Sequence, residues 1–172
     1  MEENQPKTGK YSFNYGLILG LIGVVFSLML YTMDAHYSQD IATTIIGVLI
    51  MVGITAWAIF NFRKANGGYL SLGQALKLGA GIALISGIIS VLYTILLANV
   101  IDPEFPAKVM ESRLADAAAN GELTPEQLQQ QKEMGIKFFW MGYPFIIIIN
   151  ILIGLVIGLI TGLILKKEKP AY

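Results

Sequence analysis

The chain has 172 residues, of which 55% are hydrophobic and only 14% are charged, and its mean hydropathy is +0.61. A typical soluble domain carries roughly 25% charged residues, so this composition argues against a water-soluble enzyme. The absence of cysteine excludes disulfides, thiolate metal sites and cysteine nucleophiles. A formal net charge of zero argues against a nucleic-acid partner, which would require a basic face.

Four long apolar blocks account for the high hydropathy. They cover about residues 15–33, 41–62, 78–100 and 138–165. Each block is long enough for a helix to cross a hydrocarbon core about 30 Å thick. Because backbone amides in lipid must be hydrogen-bonded within their own segment, uninterrupted runs of this length predict an all-α bundle of four transmembrane helices. The lipid bilayer is therefore the first expected partner.

The first block is predicted to be a retained helix and not a cleaved signal peptide. The apolar region of a signal peptide spans about 7–15 residues and ends at small residues. This block is longer, and the large residues Tyr31 and Met33 stand where small ones would be needed.

The connection after the first block contains His36, the only histidine in the chain. A single histidine cannot build a histidine-rich metal site or pair with a second general base. We predict a solvated loop residue, with a weak metal site shared with Asp34 and Asp40 as the less favoured alternative. No other catalytic constellation is present, so we expect neither an enzyme nor a cofactor.

The connection after the second block contains the run Asn66-Gly67-Gly68. It lacks the flanking strand and the Lys-Ser/Thr pair of a phosphate-binding loop, and it is predicted to be a turn. A short segment, 69–77, is predicted to follow, in which Ser71 and Gln74 have the spacing of a helix capping box.

The segment 102–137 is the only sizeable part outside the apolar blocks, and it predicts a helical hairpin. Asp102-Pro103 ends the third helix, since a residue before proline avoids the α region. Thr124-Pro125 then starts a second hairpin helix, expected to run directly into the fourth spanning helix. Apolar residues available to pack the hairpin are Val109, Met110, Leu114, Leu123, Leu128 and Met134.

Basic residues are distributed unevenly between the connections. Eight of the twelve lysines and arginines lie in the N-terminal tail, the second connection and the C-terminus, whereas nine of the twelve acids lie in the first connection and the hairpin. Lysine and arginine accumulate on the cytoplasmic side of membrane proteins. We therefore expect a multi-pass protein of the bacterial inner membrane with both termini cytoplasmic and an extracytoplasmic hairpin.

Small residues recur every four positions on three of the predicted helices. They are Gly16 and Gly20 in the first, Gly79, Ala83 and Gly87 in the third, and Gly154, Gly158 and Gly162 in the fourth. Such residues let backbones approach closely in lipid. We favour packing within the bundle; the alternative is a docking face for a second copy or another membrane subunit.

Polar residues inside the predicted spans form a second pattern. Ser86, Ser90 and Thr94 are four apart and share one helix face. They could line a pore or substrate path, but interhelical hydrogen bonds or bonds back to the helix backbone are the favoured interpretation. Asn150 lies among isoleucines and is expected to find a partner on another helix. No ionisable residue lies deep within a predicted span, which argues against an ion-coupled transporter.

Several stretches resemble a known family of bacterial membrane proteins. They are Tyr15–Gly20, which opens the first helix, and Phe62–Ser71 with Gly73-Gln74-Ala75 after the second. Together with Asp102-Pro103, the Glu/Gln-rich hairpin and the glycine-rich last helix, they resemble domain-of-unknown-function family 4199 over nearly the whole chain. The resemblance implies a four-helix integral membrane protein and brings no catalytic or ligand residues.

The leading functional hypothesis from the sequence is a non-enzymatic accessory protein, scaffold or complex subunit that acts through helix–helix contacts. Its partners would be other membrane subunits or a second copy. The alternative is a passive pore or a membrane carrier that binds a small molecule, a lipid or a quinone between its helices.

Overall fold

A computed structural model describes residues 6–37 and 40–168, and this part of the chain is a helical bundle without β-strands. Its α-helices are α1 (Thr8–Thr32), α2 (Ile41–Ala65), α3 (Leu72–Leu96), α4 (Phe105–Ala119), α5 (Pro125–Lys137) and α6 (Gly142–Leu165). α1, α2, α3 and α6 are long and apolar enough to cross a membrane. The four-helix architecture and the α4–α5 hairpin predicted from the sequence are confirmed.

Two spanning helices begin about two turns before their apolar blocks. α1 starts at Thr8, and α3 starts at Leu72. The prediction of a separate segment over 69–77 is therefore wrong, because Ser71 and Gln74 form the capping box at the start of α3 itself. The Ser71 hydroxyl accepts a hydrogen bond from the Gln74 amide at 3.2 Å, and the Gln74 side chain accepts one from the Ser71 amide at 2.9 Å. A lysine such as Lys77 does not stop a helix, since its long side chain reaches the membrane surface.

One end of the bundle holds the start of α1, the α2–α3 turn and the end of α6. The turn depends on Gly67 and Gly68, whose φ angles are +66° and +84°. The backbone of Leu70, just after this turn, pairs with that of Lys167, and the Tyr11 ring of α1 packs edge-on against Phe62 of α2. We call this the termini end and the opposite one the hairpin end.

The glycine faces lie at contacts within the bundle. A Cβ atom at Gly16 would lie 2.5 Å from the Cβ of Ile85, so α1 and α3 touch there without an intervening side chain. On the other side of α3, a Cβ atom at Gly154 would lie 2.5 Å from the Gly79 carbonyl oxygen. Residues of the pattern with equally close neighbours inside the chain are Gly20, Gly158 and Gly162. α3 is therefore the central helix, packed between α1 and α6.

The interior of the termini half is filled with apolar side chains. Ile59, Phe62, Leu70 and Leu78 are fully buried and form one continuous cluster. Burial of this kind, together with the close backbone contacts, supplies the dispersion that holds helices together in lipid.

The expectation that α5 runs directly into α6 is wrong. α5 ends at Lys137, and a turn of 3₁₀ helix over Phe139–Met141 separates it from α6. Pro144 explains the break, since its ring would clash with the carbonyl group of Trp140 in a continuous helix. In the observed structure Pro144 lies in the first turn of α6, where its missing N–H costs nothing.

Candidate ligand-binding cavities at the hairpin end

The contact between α1 and α3 opens toward the hairpin end. A Cβ atom at Gly20 would still lie 2.5 Å from Ile89, but one at Gly23 would meet no atom within 4 Å. The space beside Gly23 belongs to a cavity of about 160 Å³ between α1, α3 and the first connection, here called the His36 cavity. Its polar lining comes from Ser27, His36, Ser90, Tyr93 and Thr94.

A second cavity, of about 260 Å³, adjoins the first because both are lined by Gly23 and Ser90. It lies between α1, α2, α3 and α6 and is here called the Asn150 cavity. Asn150 and Ser86 are part of its polar lining. The polar face noted in the sequence thus borders cavities along its whole length, with Thr94 at the His36 cavity.

Two hydroxyl groups of that face are nevertheless bonded to the backbone of their own helix. Ser86 donates to the Ala83 carbonyl at 3.2 Å, and Thr94 donates to the Ser90 carbonyl at 2.8 Å. Back-bonding and cavity lining, which the sequence presented as alternatives, therefore occur in the same residues.

Asn150 does not bond to another helix, so that expectation is wrong. Its side-chain amide donates to the Ile146 carbonyl of its own helix at 2.8 Å. The facing residue on α3 is Gly87, which offers no polar side chain; a Cβ atom there would lie 3.6 Å from the Cβ of Asn150. The carbonyl group four residues earlier in α6 therefore accepts the hydrogen bond that was expected to go to another helix.

His36 is not a solvated loop residue. Its side chain is only 5% exposed and lies nearly parallel to the Phe105 ring, with 5.7 Å between the ring centroids. Both ring nitrogens are buried and form no hydrogen bond within the described residues. The Nε2 atom is 3.8 Å from a carboxylate oxygen of Asp102. Within residues 6–37 and 40–168, no group of three histidine or acidic residues could hold a metal ion.

Tyr93, another residue of the cavity lining, also has a buried polar atom. Its hydroxyl group has no hydrogen-bond partner in the described part of the chain. Most buried polar groups in proteins are hydrogen-bonded, and leaving one unsatisfied costs about 1–3 kcal/mol. Two such groups, one from Tyr93 and one from His36, therefore lie unpaired in the packing around a single cavity.

A cluster around Asp102, which the sequence did not predict, lies next to His36 at the start of the hairpin. A turn of π-helix over Leu97–Ile101 ends the third span and leaves Asp102 only 7% exposed. Tyr37 donates to its carboxylate at 2.5 Å, and the Lys108 ammonium lies 3.5 Å from it. Lys108 also donates to the Tyr37 hydroxyl at 3.1 Å. The cluster thus ties the first connection to α4.

The electrostatics of this cluster follow from those contacts. The hydrogen bond from Tyr37, with the nearby Lys108 charge, holds the pKa of Asp102 below its ordinary value despite burial. The same hydrogen bond, together with burial, raises the pKa of Tyr37. The contact with Tyr37 is also the main reason that the pKa of Lys108 is raised.

A third cavity, of about 490 Å³, lies between the hairpin and the start of α6. Its walls are mostly apolar and aromatic, including Phe139, Phe145 and Ile149, with Arg113 of α4 as its charged residue. All three of these cavities therefore lie in the hairpin half of the bundle.

The fold defines a class: an all-helical membrane protein with four spanning helices. More particularly, the chain belongs to the family described as Protein of unknown function (DUF4199), whose model matches residues 14–167. The comparisons with curated proteins and with solved structures gave no match. Family membership thus agrees with the resemblance seen in the sequence.

Proposed function

We propose that this protein is a non-enzymatic membrane protein that binds a small lipid-soluble molecule in the His36 cavity. One observation carries the proposal: the cavity is lined by the uncharged polar side chains of Ser27, Ser90, Tyr93 and Thr94 together with His36, and it adjoins the Asn150 cavity. A polar group of the ligand would form hydrogen bonds with side chains of this wall, and its apolar part would lie in the adjoining cavity.

The size and surroundings of the cavity support this proposal. A buried water needs roughly 10–15 Å³ of such space, so the His36 cavity, at about 160 Å³, has room for a compact head group. The adjoining Asn150 cavity adds about 260 Å³, and its wall combines apolar side chains such as Leu19, Met51 and Ile153 with those of Thr43 and Thr44. A head group in the first cavity and part of an apolar tail in the second fit this arrangement.

The termini half favours binding over conduction. Ile59, Phe62 and Leu78 fill its interior and are fully buried. A passive pore would need these side chains to move apart, so the pore alternative has less support than a binding site entered from the hairpin half.

The hypothesis of an accessory subunit or scaffold stays a prediction. Its first motivation was the glycine faces, and these are occupied by contacts within the chain, as at Gly16 and Gly154. Cross-linking in native membranes followed by mass spectrometry tests it. A protein that remains a lone monomer after gentle solubilisation would contradict it.

We also propose that the membrane is the inner membrane of a bacterium, with both termini in the cytoplasm and the hairpin outside. The uneven distribution of lysine and arginine supports this orientation. In it, the His36 cavity lies in the outer half of the membrane.

A pair of matched substitutions tests the binding proposal. Gly23→Leu places a side chain in the space shared by both cavities, and Gly53→Leu places one on the exposed face of α2, where a Cβ atom also meets nothing within 4 Å. Native mass spectrometry of the purified proteins should detect a small-molecule adduct on the wild type and on Gly53→Leu but not on Gly23→Leu. An adduct that survives Gly23→Leu, or a wild type that carries none, would contradict the proposal.

A further inference from the structure

We infer that the third cavity, between the hairpin and the start of α6, binds an anionic phospholipid whose phosphate group lies at Arg113. This space is here called the Arg113 cavity. Among the described residues, only Thr94 lines both this cavity and the His36 cavity, so the inference does not depend on the proposed function. It follows from the position of the cavity, from the charge of its lining and from the apolar character of its walls.

The cavity extends from the membrane surface toward the bilayer interior. Trp140 and Tyr143 lie at the start of the fourth span, and their residue types concentrate at membrane interfaces. Gly142 and Ile149 both belong to the lining. Because each helical residue rises 1.5 Å, the lining reaches about 10 Å further along α6 at Ile149 than at Gly142. This position suits a head group at the surface with an acyl chain below it.

Charge complementarity favours an anionic head group. Arg113 is the only charged residue that the described part of the chain contributes to the lining, which therefore carries a positive charge. A guanidinium group has five N–H donors and binds phosphate oxygens in pairs, and Tyr143 of the lining carries a further O–H donor. Since no aspartate or glutamate of the described residues lines the cavity, the amine of a zwitterionic head group would find no anionic partner there.

The other basic residues of the hairpin do not compete for this role. Lys108 and Lys132 are each paired with a carboxylate group. Lys137 is exposed and does not belong to the lining. Arg113 is therefore the hairpin base that can contact a phosphate group at this cavity, and such charge-assisted contacts are about twice as strong as neutral hydrogen bonds.

The rest of the lining suits an acyl chain. It is mainly apolar and aromatic, with Met110, Phe138, Phe145 and Ile146 among its residues. A Cβ atom at Gly142 would meet nothing within 4 Å, so the cavity stays open beside the start of α6. Its volume of about 490 Å³ falls within the roughly 300–1,000 Å³ that is usual for ligand pockets. A chain in this space would give the cavity walls the packing contacts that an empty space denies them.

Three lipids test the inference on delipidated full-length protein. Dioleoylphosphatidylglycerol is anionic, dioleoylphosphatidylethanolamine is zwitterionic, and oleate presents a carboxylate group in place of a phosphate. Native mass spectrometry measures the dissociation constant of the first bound lipid. We expect phosphatidylglycerol to bind most tightly and its binding to weaken as the salt concentration rises.

Matched variants locate the bound lipid. Arg113→Gln removes the charge and should weaken phosphatidylglycerol binding about tenfold to a hundredfold, the loss expected for hydrogen bonds to a charged group. Lys137→Gln changes the net charge equally at a position outside the lining and should leave binding unchanged. Gly142→Leu keeps Arg113 and places a side chain in the cavity, so it should weaken binding by obstructing the acyl chain.

Three results would overturn the inference: phosphatidylethanolamine binding as tight as that of phosphatidylglycerol, tighter binding of oleate, or equal effects of Arg113→Gln and Lys137→Gln. Gly23→Leu separates the inference from the proposed function, because it obstructs the other two cavities and should leave phosphatidylglycerol binding unchanged. If phosphatidylglycerol binding depends on Gly23 and not on Arg113, the inference fails and the proposed function stands. A native adduct that does not depend on Gly23 contradicts the proposed function alone.

Discussion

At the scale of single residues, Gly158 shows why the spacing of small residues matters. A Cβ atom there would lie 2.7 Å from the Ala75 carbonyl oxygen, and this backbone cannot move without separating α6 from α3. We therefore expect Gly158→Ala to lower the free energy of unfolding by about 1–3 kcal/mol, the usual cost of overpacking. Thermal unfolding in detergent, followed by circular dichroism, measures the change.

The control for this prediction is Gly53→Ala, because a Cβ atom at Gly53 meets no neighbour within 4 Å. It should be neutral or stabilise its helix by up to about 1 kcal/mol, the difference in helix propensity. Equal melting temperatures for the two variants would show that the α3–α6 contact is looser than described.

The Asp102 cluster predicts how the hairpin contact depends on pH. The pKa of Asp102 is lowered from its ordinary value of 3.8, so its stabilising effect is present above that value and is lost as the pH falls through the lowered pKa. The pKa values of Tyr37 and Lys108 are raised, so their effect is present below about pH 10 and is lost at more alkaline pH. Protection of α4 amides from hydrogen exchange, corrected for intrinsic rates, should therefore be greatest near neutral pH and should fall below about pH 4.

Asp102→Asn is the matching variant, since it keeps the shape of the side chain and removes its charge. We expect it to lower protection at neutral pH and to abolish the decrease in acid. A wild-type profile that stays flat in acid would contradict the role assigned to Asp102.

The same scale shows what residue patterns could and could not predict. The four-residue spacing of Gly154 and Gly158 was sufficient to identify a packing face. Nothing near His36 in the sequence could place Phe105 against it, because the two residues are brought together only by the fold. The aromatic neighbours Tyr31 and Tyr37 were the one local sign that the loop histidine would be buried.

At the scale of elements, α3 begins with a capping box that directly follows the α2–α3 turn. We expect Ser71→Ala to lower the free energy of unfolding by about 1 kcal/mol, because the first turn loses an acceptor for the Gln74 amide. Ser71→Asp should keep most of the stability, since aspartate caps equally well. Chemical unfolding in mixed micelles compares the three proteins, and a Ser71→Asp variant as weak as Ser71→Ala would rule out capping as the cause.

The apolar blocks predicted the existence and order of the elements but not their ends. Hydropathy reports the residues that lie in lipid, whereas the ends of a helix depend on capping and on breaks such as the one at Pro144. α1 and α3 therefore extend beyond the blocks. The break between α5 and α6 is caused by the ring of Pro144, which hydropathy does not report.

At the scale of the whole molecule, the two halves of the bundle differ in construction. The termini half has glycine contacts at Gly16 and Gly158 and a filled interior, while the hairpin half encloses cavities lined by polar groups. α1 separates from α3 beyond Gly20, whereas α3 and α6 remain in contact at Gly87, so the His36 cavity opens on one side of α3 without loosening the whole bundle. The spacing of Ser86, Ser90 and Thr94 identified a polar face, but only the fold shows that this face lines cavities.

The last prediction concerns how this asymmetric bundle is oriented. The start of α1, the α2–α3 turn and the end of α6 share one end of the bundle, and the hairpin occupies the other, so two labelling sites are sufficient to define the topology. The natural chain has no cysteine, so any label reports an introduced one.

Ala65→Cys marks the termini end and Glu122→Cys marks the hairpin, and both positions are exposed. In intact cells, a maleimide that cannot cross the membrane should label Glu122→Cys and should reach Ala65→Cys only after permeabilisation, because lysine and arginine accumulate on the cytoplasmic side of membrane proteins. The reverse pattern would contradict this orientation. The His36 cavity would then lie in the cytoplasmic half of the bilayer, and a ligand would enter it from the cytoplasmic leaflet.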